Sequence, residues 1–194
     1  MENKKLVRSI IEESIKVKSL CASQCTDRIV QAGEIIADTV SVGNKVLCCG
    51  NGGSAADAQH FSAELLNRFE KERKELAAFA LTTDTSTITS IANDYSFDSI
   101  FEKQIRALGN GGDVLLAITT SGNSKNIVNA IIAAQEHKMK VILLNGKDGG
   151  KAALKLTEKD LELRVPSQST ARTQESHIMM LHCICAIVDR KIYN

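Results

Sequence analysis

Residues 2–22 set Leu6, Ile10, Val17 and Leu20 at helical spacing, and 27–42 do the same with Ile29, Ile36 and Val40. Two opening helices are predicted, the second capped by Asp27 and ended by Gly43-Asn44. The period then changes. Val46-Leu47-Cys48-Cys49 is a continuous apolar run of the kind that forms a strand buried on both faces. Similar runs follow at 77–81, 114–118, 141–144 and 161–165, with helical segments between them. Five strands alternating with helices predict an α/β chain: a three-layer α-β-α sandwich around a five-stranded parallel sheet, preceded by a helical pair. Pro166, the only proline, should stop the fifth strand and turn the chain into a last helix over 173–190.

A length of 194 residues suits one domain with its own core, residues 1–42 forming the helical pair and 43–194 the α/β part. With 24 basic and 23 acidic residues the net charge is +1, which gives no electrostatic reason to expect a nucleic acid or a membrane surface as partner. A small ligand is expected instead. The first 20 residues carry charges at regular intervals and lack an apolar export segment, so a cytoplasmic location is expected. The six cysteines, at 21, 25, 48, 49, 183 and 185, do not combine into the spacing of a cysteine zinc site, and free, mostly buried thiols are expected.

In parallel sheets ligands bind at the carboxyl ends of strands, which directs attention to two loops. Gly50-Asn51-Gly52-Gly53-Ser54 leads into a helix; its glycines let backbone N–H groups approach an anionic or polyhydroxyl ligand, although a tight turn without a ligand would read the same way. As Gly50-x-Gly52-x-x-Ala55 the loop also imitates a dinucleotide fingerprint, but no acidic residue follows at the strand end expected for NAD. Thr119-Thr120-Ser121-Gly122-Asn123-Ser124 places four hydroxyls between a buried strand and a helix. A helix cap needs one of them. Four suit a phosphate monoester where neither a P-loop lysine nor a metal is supplied.

His60 and Glu64, four apart, share a helix face; the spacing would serve a metal pair or an acid/base pair, but a lone pair of this kind is more often a surface contact. The last helix carries Gln174, Glu175, His177 and His182. His177 and His182 point about 140° apart, so one chain cannot turn both to one site, and spacing does not choose between them.

The stretches CGNGGSAADAQHFSAELLNRF (49–69), TTDTSTITSIANDYSF (82–97), GDVLLAITTSGNS (112–124) and ARTQESHIMMLH (171–182) together resemble the sugar isomerase (SIS) family, over essentially the whole chain. They look most like its branch that converts a seven-carbon ketose phosphate, sedoheptulose 7-phosphate, to the aldose for lipopolysaccharide heptose. The resemblance implies the SIS fold, phosphate contacts from Ser54, Thr119, Thr120, Ser121 and Ser124, and sugar contacts from Asn51, Gly52, Gly53, Asn93 and Asp94. It implies Glu64 as catalytic base, also touching substrate, and His182 as catalytic acid. His60, Glu64, Gln174 and His182 match a zinc site, one ion per active site, with Gln174 also near substrate, and His177 is left as the structural histidine. Ala171 and Thr119 depart from residues frequent in the family; the threonine keeps its hydroxyl, whereas the alanine removes a possible sugar contact.

Gln174 and His182 lie eight residues apart, about 12 Å along a continuous helix, so either the helix begins after Gln174 or the ligands come from different subunits. The apolar opening helices also need a partner surface. Both points favour an oligomer with active sites at subunit interfaces, and the resemblance implies a homotetramer. A relative of the same fold binds a replication initiator instead of catalysing, but it lacks the Glu and His that this chain keeps at 64 and 182.

Overall fold

Each apolar run becomes a strand because its alternate side chains feed two helical layers at once. In the computed structural model, which describes residues 1–193, β1 (Val46–Gly50), β2 (Ala78–Ala80), β3 (Val114–Ile118), β4 (Lys140–Asn145) and β5 (Leu161–Arg164) form one parallel sheet in the order β2-β1-β3-β4-β5. Val46, Cys48, Leu116, Ile118, Ile142 and Leu144 pack on one side against α1 (Glu2–Gln24), α2 (Thr26–Ser41), α3 (Gly53–Leu66) and α8 (Thr170–Tyr193). Leu47, Cys49, Leu115, Ala117, Val141 and Leu143 pack on the other against α4 (Thr85–Asp94), α5 (Ile100–Leu108), α6 (Lys125–Glu136) and the short α7 (Gly150–Ala153). The expected three-layer sandwich is the observed one.

The differences lie at the ends of elements. β2 is shorter than 77–81 because it is an edge strand with one neighbour; Ala77 and Leu81 still bond to β1, Val46 N donating to Ala77 O and Leu81 N to Cys48 O. Asp27 does not cap α2. Only Cys25 separates α1 from α2, and its helical backbone leaves no extended residue from which a side chain could reach back. α8 begins at Thr170, earlier than 173, and reaches Tyr193. The helix therefore does not start after Gln174. Five of the cysteines are buried thiols, and Cys183 is exposed.

α1 is packed along half its length. Val17 and Cys21 are buried, whereas Leu6, Val7, Ile10, Ile11 and Ile15 are 41–60% exposed. An ion-paired cluster ties its middle to α8: Arg172 bonds Glu175 and Ile10 O, and Glu175 accepts from the Ser14 hydroxyl at 2.8 Å.

Strand order places the site. The chain leaves β1 for β2, then crosses back over β1 to β3, so the direction of winding reverses between two adjacent strands. Gly50 pairs with Ile118 there, and the loops after both residues emerge side by side.

Candidate active site

The loop after β1 turns sharply into α3 at Gly52, whose φ of 55° and ψ of −120° suit only glycine. The loop after β3 needs Gly122 for two reasons: its φ is 68°, and a Cβ there would collide with the Gly149 carbonyl. Asn51 and Asn126 exchange amide hydrogen bonds of 2.8 and 2.9 Å, lacing the first loop to the first turn of α6. Two helix N-termini, α3 and α6, are thus held at the ends of neighbouring strands, where their unpaired N–H groups favour an anion.

The hydroxyls divide into two groups. Thr119 is buried and its Oγ1 accepts from Gly122 N, and Ser121 Oγ accepts from Asn123 N, so both shape the loop while keeping an O–H to donate. Ser54, Thr120 and Ser124 have no side-chain hydrogen bond among the described residues. Ser124 occupies the N-cap of α6 without capping it. The cap explanation for these residues therefore fails, and the hydroxyls remain available to a ligand. Asn93 and Asp94 lie exposed at the end of α4, Asn93 Nδ2 donating to Asp94 Oδ1 at 2.9 Å, with no side-chain bond to either loop.

α3 and α8 pack side by side, and along their seam the acid/base candidates meet. His60 Nε2 lies 2.8 Å from His182 Nε2, and His60 Nδ1 lies 3.6 Å from Glu64 Oε1. In the imidazole contact one ring must donate and the other accept, so at least one of the two is neutral. Phe69 lies against His182, ring centroids 5.7 Å apart, and covers that end of the seam. One turn before His60, buried Asp57 accepts from Gln174 Nε2 at 3.3 Å. Burial pushes the Asp57 carboxyl above its ordinary value, against the opposing pull of the Gln174 bond and the His60 charge. His177 is on the other side of α8: fully buried, it donates Nε2–H to Asn145 O at 3.0 Å, and burial lowers its pKa to about 4. The two histidines do different work, as their angular separation requires.

The four matched zinc ligands have the right chemistry, two imidazoles, a carboxylate and an amide oxygen. Their arrangement is pairwise. His60 turns opposite nitrogens to His182 and Glu64, while Gln174 faces Asp57. Among the described residues no three His, Cys, Asp or Glu side chains are grouped to hold one ion.

Three residues of the site were not picked out from sequence. Asp57 had a signal, its position three before His60 on the same helix face. Asn126 had none beyond its place in the first turn of α6. Arg73, its side chain 2% exposed, donates to Glu64 O at 2.6 Å and Leu65 O at 2.8 Å and pairs with Asp189 of α8, so it caps the carbonyl end of α3 and ties the two helices together. It lies in a stretch without periodicity, where sequence carries no cue.

Known proteins share this chain's pattern at every level. A family model described as the SIS domain matches residues 11–146. A phosphoheptose isomerase of Coxiella burnetii is 56% identical over 186 residues, covering 96% of this chain and 94% of the relative. The structure of phosphoheptose isomerase GmhA from Neisseria gonorrhoeae superposes with a TM-score of 0.92 at 49% identity, covering 96% of this chain and 98% of that one. For a phosphoheptose isomerase from Francisella tularensis the TM-score is 0.95 at 46% identity, with 98% and 100% covered.

Proposed function

This chain belongs to the SIS domain family, and from that premise we propose that it converts D-sedoheptulose 7-phosphate to D-glycero-D-manno-heptose 7-phosphate, the aldose then serving lipopolysaccharide heptose synthesis. It is a sugar-phosphate isomerase, in keeping with relatives above half identity that bear that activity in their names. The observation that carries the reading is the seam contact of His60 with both Glu64 and His182, on the helix into which the first ligand loop leads.

The phosphate is bound by Ser54, Thr120 and Ser124, with the remaining protons of Thr119 and Ser121, over the N-terminus of α6. Glu64 takes a proton from C1 of the ketose. The C1–H electrons form the C1=C2 bond, and the carbonyl pair moves to O2, which accepts a proton from His182. In the second half His182 recovers a proton from O1, C1=O1 forms, and Glu64 returns its proton to C2. Both side chains end as they began, so no co-reactant is consumed.

Zinc binding by His60, Glu64, Gln174 and His182 is part of the proposal, and because Gln174 and His182 share one continuous helix about 12 Å apart, the four ligands would be drawn from more than one subunit. Bound there, zinc would act as a Lewis acid toward the sugar oxygens. Elemental analysis of protein purified without chelators should find about one zinc per chain; a fully active, zinc-free preparation would refute it.

Assay of the purified protein against ketose phosphates of different lengths tests the substrate. The seven-carbon sugar should be turned over with the highest kcat/KM, and no turnover of it would sink the reading.

A further inference from the structure

Asp57 stands on the α3 face that carries His60 and Glu64, and the proton transfers above make no use of it. Its side chain is nearly inaccessible, the residue being 2% exposed. Oδ1 accepts from Gln174 Nε2, while Oδ2 is buried with no hydrogen-bond partner. An unpaired buried carboxylate oxygen costs stability, so packing alone does not account for an acid at this position.

Gln174 accounts for it. The Gln174 amide lies against Gly53, where a Cβ would collide with it, so it sits at the first turn of α3 beside the Gly52 bend. A glutamine amide has a donor end and an acceptor end of nearly equal shape, and nothing in its own structure decides which one faces a ligand. An ionised carboxylate accepts only. With Nε2 committed to Asp57, Oε1 is left without a donor and free to meet a ligand.

We propose that Asp57 is a positioning residue whose buried carboxylate holds the Gln174 amide with its nitrogen inward and Oε1 outward, as an acceptor for a hydroxyl of the bound sugar. The assignment rests on the sugar-phosphate reading of the site. It also accounts for the orphan oxygen, since orientation of Gln174 requires a group that does not donate, whatever that group costs the fold.

Variants at both positions test it. Asp57→Ala should lower kcat/KM by about tenfold to a hundredfold, the scale of a misplaced binding group, mostly through KM, with Tm held or raised. Asp57→Asn, which is able to turn either end toward Gln174, should lose less, and it carries the comparison if the alanine variant does not fold. Asp57→Ala combined with Gln174→Ala should be no worse than Gln174→Ala alone, because the first residue acts through the second. Losses that multiply, or wild-type kcat/KM in a folded Asp57→Ala, would overturn the proposal. The NMR resonance of the Gln174 side-chain amide, assigned by its disappearance in Gln174→Ala, gives a readout without turnover. It should move in the Asp57 variants, and an unmoved resonance would also overturn the proposal. Wild-type protein that turns over no seven-carbon sugar would refute the substrate reading by itself, and the resonance would still decide whether Asp57 orients Gln174.

Discussion

Histidine 177 shows how one residue type serves two purposes in a single helix. His182 faces α3 in the seam, whereas His177 is sealed in the core with its one bond to Asn145 O and Nδ1 unpaired. Its pKa falls from an ordinary 6.5 to about 4 because burial disfavours the charged ring. Between those values the unfolded chain binds a proton that the folded chain refuses, so stability is full above pH 6.5 and declines as pH falls toward 4, by up to about 3 kcal/mol. His177→Gln keeps a donor for Asn145 O and removes the titration. Denaturant unfolding at several pH values should therefore show a shallower loss across this window than in the wild type, and identical slopes would refute the assignment. Which histidine was which could not be read from spacing, because a helical angle separates two side chains without saying which faces a ligand. Asp57 was overlooked for a related reason: an acid on a helix is ordinarily a solvated residue, and only packing against Gln174 makes it a buried one.

Among the elements, the strands were legible to within a residue or two because runs such as Val114–Ile118 are apolar on both faces, a pattern few other structures produce. The ends were less legible. Thr170 opens α8 three residues before the expected start, with Thr173 N and Oγ1 both bonding Ser169 O in the first turn, so Gln174 and His182 share one continuous helix. That geometry removes one of two explanations for their separation. The other, that the ligands come from different subunits, remains the proposal; within one chain the helix runs beside α3 and meets it twice, at Asp57 and at His60. α1 raises the opposite question, for its periodicity predicts a packed stripe whose first half is left bare, from Leu6 to Ile15. We propose that a second copy covers it within a homotetramer. Light scattering at micromolar protein should give four times the 21.0 kDa chain mass, and Ile11→Asp should reduce it. A monomer in the wild type would contradict the proposal.

At the level of the whole molecule, function depends on an adjacency that no local pattern contains. The loops after Gly50 and Ile118 are 68 positions apart in sequence and become neighbours only because β3 returns to the far side of β1. The resemblance of the motifs carried that information into the sequence reading; periodicity did not. Once the sheet is wound, Asn51 and Asn126 lock the loops together, and Arg73 and Asp189 lock the carbonyl end of α3 to α8. The central claim is that Glu64 carries a proton between C1 and C2 of a seven-carbon ketose phosphate. Its most direct test is isomerisation of sedoheptulose 7-phosphate in D2O, followed by NMR, with Glu64→Gln alongside. The account predicts turnover lower by about two to four orders of magnitude in the folded variant, with deuterium at C2 of the wild-type aldose to the extent that the proton held on Glu64 exchanges with solvent before its return. A folded Glu64→Gln protein of near-normal activity would contradict it.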